Sequence, residues 1–227
     1  MTSIAENIAL TLTRIREAET RFQRESNSVC LMAVSKTRPA EDIREAFGHG
    51  QRHFGENYLQ DALDKIEKLQ ALDICWHFIG PVQSNKASQV AEYFDWVHSV
   101  DRIKIARRLN DRRPADMAPL NLCIQVNISN EFSKSGVAVN EVADFMELLC
   151  GLDRLCVRGL MAIPKAGMNE QQQRQTFAQL KTLFEQLKVT HPQLDTLSMG
   201  MSQDMDSAIA EGSTIVRIGT AIFGARH

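Results

Sequence analysis

The chain has 227 residues, of which 44% are hydrophobic and 24% are charged, as in an ordinary soluble globular protein. Its formal net charge is −2 and no run of basic residues stands out, which argues against nucleic-acid binding through a broad basic surface. No apolar stretch approaches the ~20 residues needed to span a bilayer, and the N-terminus lacks the pattern of a signal peptide. We therefore expect one domain over residues 1–227 that binds neither nucleic acid nor a membrane.

The five cysteines indicate a reducing compartment, and we expect a cytoplasmic protein. Their number is odd, their spacings are wide and no CxxC pair occurs, so neither a disulfide framework nor a zinc site is well supported. His49, His53 and His98 make no metal-ligand spacing with each other. We expect no metal site, and we expect the cysteines within apolar runs to act as small buried side chains.

The first predicted element is an amphipathic helix. Apolar residues recur at helical spacing from Ile4 to Ile15, with charged residues between them. Ser3 followed by Glu6 fits a capping box, which satisfies the first free amides of the helix. Asn27-Ser28 is expected to end it.

Strand-like and helix-like segments then alternate strictly. The predicted strands are Val29–Ser35, His53–Gly55, Trp76–Gly80, Trp96–Val100, Leu122–Ile128, Val157–Ile163, Leu197–Met199 and Ile215–Phe223. The predicted helices between them are Ala40–Gly48, Tyr58–Leu69, Asn85–Tyr93, Ile103–Asp111, Glu141–Leu149, Gln171–Lys188 and Gln203–Glu211. This alternation predicts an α/β fold, a single eight-stranded (β/α)8 TIM-type barrel with an N-terminal helix before strand one.

An open, doubly wound sheet is the alternative architecture, but no GxGxxG motif follows the first strand. Because the chain ends soon after the eighth strand, we expect no helix after that strand. We expect the N-terminal helix to cover the gap between the last strand and the first.

Lys36 ends the first predicted strand, where a lysine is out of place. Burying an ammonium group is costly, so the site must pair it, deprotonate it or convert it, for example into an imine with an aldehyde. Desolvation, or a nearby cation such as Arg217, would lower the pKa of Lys36 and favour imine formation. A buried ion pair with Glu56 is the structural alternative.

Further polar residues fall at the C-terminal ends of the predicted strands, where barrels of this type carry their active sites. Asn57 follows strand two, Ser202 follows strand seven, and strand eight contains Arg217, Gly219 and Thr220. Ser202 is a plausible N-cap, but a helix N-terminus also attracts anions. Phosphate sites recur after strands seven and eight of such barrels, so position alone predicts phosphate binding here.

Arg217 lies inside an apolar strand and has two interpretations. It is either a buried arginine paired with a carboxylate or a permanent cation directed at a ligand. Two other residues are interpreted as core. We expect His77 to be a hydrogen-bonded core histidine, and we expect Met161 to be a packing residue that could also line the cavity.

Five segments, in the expected order, resemble the pyridoxal phosphate homeostasis protein family, which is similar to the barrel domain of alanine racemase and other fold-type III pyridoxal phosphate proteins. The segments are Ala33–Thr37, Phe54–Tyr58, His77–Gly80, Ser198–Ser202 and Val216–Gly224. The resemblance covers essentially the whole chain.

The resemblance implies a role for each matching residue. Lys36 would hold pyridoxal 5'-phosphate as an internal aldimine, and Asn57 would lie near its ring. Arg217 would face the pyridine nitrogen and keep it unprotonated, which makes the cofactor a weaker electron sink. The phosphate would be bound by Ser202, Gly219 and Thr220.

The resemblance also implies binding without an established catalytic reaction. Alanine racemases take their second base from a C-terminal domain and a partner subunit, and in a chain that stops at His227 we find no place for that base. We therefore expect a monomer that serves vitamin B6 and amino-acid homeostasis, with apo-enzymes as recipients of the cofactor. The alternatives are a fold-type III racemase or decarboxylase, and an aldolase-type barrel that forms a Schiff base on Lys36 without pyridoxal phosphate.

Overall fold

The computed structural model describes residues 3–129 and 135–224. The strands are β1 (Cys30–Val34), β2 (His53–Glu56), β3 (Cys75–Phe78), β4 (Trp96–Val100), β5 (Leu120–Asn127), β6 (Val137–Ala138), β7 (Leu155–Met161), β8 (Thr196–Ser198) and β9 (Ile215–Ile218). The helices are α1 (Ile4–Arg21), α2 (Ala40–Gly48), α3 (Leu59–Lys68), α4 (Ala87–Tyr93), α5 (Ile103–Arg112), α6 (Val142–Leu149), α7 (Glu170–Thr190), α8 (Met205–Ala210) and α9 (Thr220–Phe223).

Eight parallel strands close into a barrel, which confirms the predicted fold. The order around the ring is β1-β2-β3-β4-β5-β7-β8-β9, and β9 pairs with β1 to close it. The two-residue strand β6 pairs with β5 outside the ring. All C-terminal strand ends therefore meet at one rim and all N-terminal ends at the other.

Helix α1 begins with the predicted capping box. The Glu6 amide donates to Ser3 Oγ at 3.2 Å, and the Ser3 amide donates to Glu6 Oε2 at 2.8 Å. The helix ends at Arg21, earlier than predicted, and Asn27 in the segment that follows has a positive φ of 64°. Helix α1 packs against α8, α9 and α2, and so covers the seam between β9 and β1 as expected.

The end of the chain differs from the prediction. The eighth barrel strand ends at Ile218, and residues Thr220–Phe223 form the short helix α9 instead of continuing the strand. The Phe223 amide donates to the Gly219 carbonyl at 2.9 Å, and Ile222 is fully buried. The expectation of no helix after the eighth strand was therefore wrong, because a short apolar run has the same sequence pattern in a strand and in a buried helix.

The main apolar core lies between the barrel wall and the surrounding helices, whose apolar faces supply residues such as Ile15, Ile43 and Phe177. Trp96, Cys123 and Met161 form a separate small cluster. Among the described residues, no helix combines the length and the apolar character that a membrane crossing requires.

Candidate ligand-binding site

A cavity of about 490 Å³ opens at the C-terminal rim of the barrel. The six residues predicted from the sequence all line it: Lys36, Asn57, Ser202, Arg217, Gly219 and Thr220. Met161 also lines the cavity, as does Arg38, which the sequence analysis did not single out. The volume is in the range of small-molecule sites, and the wall combines apolar side chains with a few polar groups.

Lys36 lies in a turn two residues beyond the end of β1 and is half-buried. The next residue, Thr37, has a φ of 64°, a left-handed conformation that is unfavourable for a β-branched side chain. The Thr37 amide donates to Asp61 Oδ2 at 3.3 Å, which ties this turn to α3. The strained turn fixes the direction in which the chain, and with it Lys36, leaves the strand.

Glu56 does not form the ion pair with Lys36 that we considered as the structural alternative. Its Oε1 accepts from Ser35 Oγ at 2.6 Å and from Lys65 Nζ at 2.9 Å. Lys65 is 4% exposed and also donates to Asp61 Oδ2 at 2.7 Å and to the Ser35 carbonyl at 2.9 Å. The buried cation that neutralises Glu56 is therefore Lys65, which leaves Lys36 on the cavity wall.

Lys65 was missed because it looks like a solvent-exposed residue in the sequence. It lies four positions after Asp61 in a helix, a spacing that usually indicates a surface ion pair. Burial raises the pKa of Glu56, and the charge of Lys65 opposes this increase. The ion pair is a structural feature directly behind the turn that carries Lys36.

Arg217 is buried on β9, and no carboxylate of the described residues pairs with it. Its Nη1 donates to the carbonyl of Ser198 at 2.6 Å and to Ser198 Oγ at 2.8 Å, and its Nη2 donates to the Ala162 carbonyl at 2.9 Å. Burial lowers the pKa of Arg217 to about 10, so it remains a cation at neutral pH. Three of its five N–H donors are used by these oxygens, and two have no partner in the described parts of the chain.

Asn57 follows β2 and presents an unsatisfied polar atom. Its Oδ1 is buried and finds no hydrogen-bond partner among the described residues. The backbone of Asn57 is held in close contact with Gly80, where an added Cβ would lie 2.0 Å from the Asn57 carbonyl oxygen. Only glycine fits at position 80, because any larger residue would push Asn57 out of place.

Ser202 does not cap a helix, contrary to one interpretation of its position. Helix α8 begins at Met205, its N-cap is Asp204, and Asp204 Oδ1 accepts from the Met201 amide at 2.5 Å. Ser202 lies in the turn before α8, where it is half-buried. Gly200, with a φ of 96°, starts this turn, and an added Cβ there would lie 2.6 Å from the Cβ of Ala208.

Gly219 and Thr220 lie beyond β9 and not on it. Gly219 is the N-cap residue of α9, and Thr220 is its exposed first residue. Both line the cavity together with Ser202, so the structure brings the three predicted phosphate ligands to one place.

A hydrogen-bonded row of buried side chains leads away from Arg217 into the barrel. Ser198 Oγ, which accepts from Arg217, lies 2.9 Å from His98 Nδ1, and His98 Nε2 lies 2.9 Å from His77 Nδ1. His77 and His98 are fully buried, so His77 is the hydrogen-bonded core histidine that we expected. Ser198 was missed, since nothing in the sequence shows that β8 and β4 face each other across the barrel.

Comparison with known proteins defines the class of this barrel. Residues 10–227 match the family described as alanine racemase, N-terminal domain. A Pseudomonas aeruginosa relative named pyridoxal phosphate homeostasis protein is 54% identical over 226 residues, which cover 100% of this chain and 97% of that protein. A relative of the same name from Escherichia coli strain K12 is 52% identical over 229 residues, covering 100% of this chain and 98% of that protein.

Among solved structures, PipY of Synechococcus elongatus PCC7942, determined with PLP bound, is similar with a TM-score of 0.84. It is 39% identical, and the match covers 98% of this chain and 100% of PipY. The chain therefore belongs to the pyridoxal phosphate homeostasis protein family, which confirms the resemblance seen in its sequence segments.

Proposed function

We propose that this chain binds pyridoxal 5'-phosphate covalently on Lys36 and serves vitamin B6 and amino-acid homeostasis inside the cell. The observation that carries this proposal is that Lys36, Arg217 and the three predicted phosphate ligands line one cavity. The relatives named for pyridoxal phosphate homeostasis and the PLP-bound PipY structure support it.

Lys36 is the anchor in this proposal. Its amine would hold the aldehyde carbon of the cofactor through an imine bond, with release of one water molecule. The Lys65–Glu56 ion pair supports the assignment, because it supplies the buried carboxylate with a different cation. When bound, the cofactor supplies an electron sink for carbanion chemistry at amino acids.

The remaining polar groups fit the cofactor chemically. We assign one of the two N–H donors left on Arg217 to the pyridine nitrogen, which would stay unprotonated beside this cation. We assign Asn57, whose buried Oδ1 lacks a partner in the described part of the chain, to the ring edge. We assign the phosphate to the hydroxyl and amide groups at Ser202, Gly219 and Thr220.

The cavity wall favours holding the cofactor over turning over an amino acid. Racemisation uses acid–base groups on both faces of the substrate carbon. The charged side chains on the described cavity wall are Lys36, Arg38 and Arg217, and guanidinium groups stay protonated at neutral pH and therefore do not act as bases. We therefore propose that Lys36 anchors the cofactor and that the chain binds it without turning over an amino acid.

Reversible release of the cofactor also fits the position of Lys36 at the C-terminal rim. Lys36 is half-buried and Thr220 is exposed, so the cofactor can leave through the rim without unfolding the barrel. We propose that a monomer passes the cofactor to apo-enzymes in the cytoplasm. Adding the loaded protein to an apo-enzyme and following the recipient's activity tests this step, and light scattering tests the monomer.

The anchor is tested with the absorbance spectrum of the purified protein before and after borohydride reduction. We expect visible absorbance from the imine, its loss on reduction, and a modified peptide that contains Lys36. Lys36→Ala should abolish the absorbance, whereas Lys104→Ala, at an exposed position on α5, should keep it. Retention of the absorbance by Lys36→Ala would show that another group anchors the cofactor.

Two further outcomes separate the competing activities. A colourless protein that added pyridoxal phosphate leaves unchanged would favour the aldolase-type barrel. Incubation of the loaded protein with amino acids in deuterated water should give no steady exchange at the α-carbon. Sustained exchange with turnover would favour the racemase or decarboxylase alternative.

A further inference from the structure

Three potential metal ligands meet at the N-terminal rim, on the opposite end of the barrel from the cavity. His53 is the first residue of β2, and Cys75 and His77 are the first and third residues of β3. His53 and Cys75 are paired in the parallel register, and His77 points to the same face two residues later. We call His53, Cys75 and His77 the lower trio.

The ligand atoms of the lower trio are spaced for a single ion. His77 Nε2 lies 3.0 Å from His53 Nδ1 and 3.4 Å from Cys75 Sγ, and all three atoms lie within 4.8 Å of one another. Tetrahedral zinc with bonds of about 2.0–2.3 Å separates two nitrogens by about 3.3 Å and a nitrogen from a sulfur by about 3.6 Å. Shifts of a few tenths of an ångström bring His77 and its two partners to these separations.

A carboxylate faces the lower trio. Asp95, whose Oδ2 accepts from the Trp76 amide at 2.8 Å, lies close enough to His53 and to Cys75 to act on both electrostatically. A divalent ion at the trio would displace the Cys75 thiol proton to solvent, because the thiolate is the form that binds a metal.

The trio also has the access and the support that metal sites need. His53 and Cys75 are half-buried, so an ion and one water molecule can reach the open side of the cluster. His77 is fully buried, its ring stacks on Trp96 at a centroid distance of 5.5 Å, and its Nδ1 is hydrogen-bonded to His98 Nε2. A ligand histidine whose second nitrogen is bonded in this way is held in a fixed orientation.

We propose that His53 Nδ1, Cys75 Sγ and His77 Nε2 bind a Zn²⁺ ion at the N-terminal rim of the barrel, with water as the fourth ligand. Two histidines and one thiolate are a ligand set that zinc accepts. This proposal does not depend on the proposed function, because the site shares no residue with the cavity.

The spacing rules applied to the sequence could not find this site. They look for ligands close together along one segment, whereas the lower trio joins two strands 22 positions apart, as the pairing of His53 with Cys75 shows. The histidines were compared only with each other, and Cys75 lies at the edge of an apolar run, where a small buried side chain is the usual interpretation.

Zinc binding would also fix the hydrogen-bond direction of the buried row. Arg217 only donates, so Ser198 Oγ accepts from it, and the tautomer of His98 decides whether Ser198 Oγ donates to His98 Nδ1 or accepts from it. The contact between His98 Nε2 and His77 Nδ1 likewise fits either direction. Zinc needs the Nε2 lone pair of His77, so it selects the tautomers in which His77 Nδ1–H donates to His98 Nε2, His98 Nδ1–H donates to Ser198 Oγ, and Ser198 Oγ accepts from both His98 and Arg217.

The test is a zinc titration of the full-length, metal-free and reduced protein at pH 8, in competition with a chromophoric chelator. We expect one Zn²⁺ per chain. Cys75→Ser and His53→Gln should each weaken binding by roughly 100-fold or more, because loss of a ligand costs at least as much as loss of a supporting residue. Cys150→Ser, which removes an exposed thiol elsewhere, should bind zinc like the parent protein.

Cobalt supplies a second measurement that does not depend on affinity. Co²⁺ bound at the trio should show thiolate-to-cobalt charge-transfer absorption in the parent protein and in Cys150→Ser, but not in Cys75→Ser. Circular dichroism of each variant confirms that it is folded. Zinc binding that is unchanged in both Cys75→Ser and His53→Gln, or a parent protein that takes up no zinc, would overturn the proposal.

Discussion

The two rims of this barrel use polar residues in opposite ways. At the C-terminal rim, most polar groups lie beyond the strand ends although Arg217 lies on β9, and Arg217 and Asn57 keep hydrogen-bonding atoms that the described residues do not satisfy. At the N-terminal rim, His53 and His77 lie within the strands and satisfy each other. The contrast teaches that two residues on the cavity wall have hydrogen-bonding atoms left for a ligand, whereas the lower trio is recognised only by its ligand spacing.

The rims are nevertheless connected. Arg217 contacts Ser198, and the buried row of Ser198, His98 and His77 ends at His53 on the other rim. Because β4 and β8 are not neighbours in the ring, this row crosses the interior of the barrel. Substitutions near the cavity should change the free energy of unfolding and the binding of the cofactor by different amounts. Zinc binding at the N-terminal rim should change the affinity of the cavity for the cofactor.

The largest effect is expected from Lys65→Met, which removes the buried cation behind the cavity without changing the cavity wall. Glu56 would lose its buried counter-ion, so the free energy of unfolding should fall by about 3–5 kcal/mol. Urea unfolding measures the change, and the imine absorbance of the folded variant should remain. Exposed Lys68→Met on the same helix should change stability by less than about 0.5 kcal/mol.

The double variant Lys65→Met with Glu56→Gln gives the internal control. Neutralising Glu56 removes the unpaired charge, so a large part of the lost stability should return. If the double variant is as unstable as Lys65→Met alone, packing of the lysine stem and not the ion pair stabilises this region.

An intermediate effect is expected from Ser198→Ala, which removes the hydroxyl group that joins Arg217 to His98. A hydrogen bond to a charged group contributes about 1.5–3 kcal/mol, so the free energy of unfolding should fall by that amount. Pyridoxal phosphate should also dissociate faster, since Arg217 loses one of its three fixed contacts. Both changes are measured by urea unfolding and by decay of the imine absorbance after dilution.

Ser207→Ala on α8 is the matched control for that experiment. Ser207 is also buried, but its hydroxyl donates to the neutral amide oxygen of Gln173 at 2.9 Å. It should cost only about 0.5–1.5 kcal/mol and leave cofactor dissociation unchanged. Equal dissociation rates in the two variants would mean that Ser198 does not position Arg217.

The smallest effect is expected from coupling between the rims. Zinc at the lower trio makes Ser198 Oγ accept from two donors, which weakens its bond to Arg217 and should raise the dissociation constant of pyridoxal phosphate about fivefold. By linkage, the cofactor should weaken zinc binding by the same factor. Paired titrations measure both constants, and the coupling should vanish in Ser198→Ala. Identical cofactor affinity with and without zinc would show that the rims are independent.

The sequence predicted the barrel because strict alternation of strands and helices fixes the topology once the strands are parallel. It predicted the six cavity residues because each lies just beyond a strand end or on the last strand, and such positions converge at one rim. Prediction from the sequence failed for residues whose role depends on which face of a helix or strand is buried. Lys65, Ser198 and the lower trio are examples, since helix orientation and strand register are tertiary properties.

The left-handed conformation of Thr37 has a consequence for attempts to make this protein more heat-resistant. Replacement by asparagine or glycine would relieve the strained backbone and would look favourable to any scheme that ranks substitutions by stability. The same replacement would relax the turn that directs Lys36 into the cavity. With Lys36 as the proposed anchor, a substitution at Thr37 that raises thermal stability would lower retention of the cofactor.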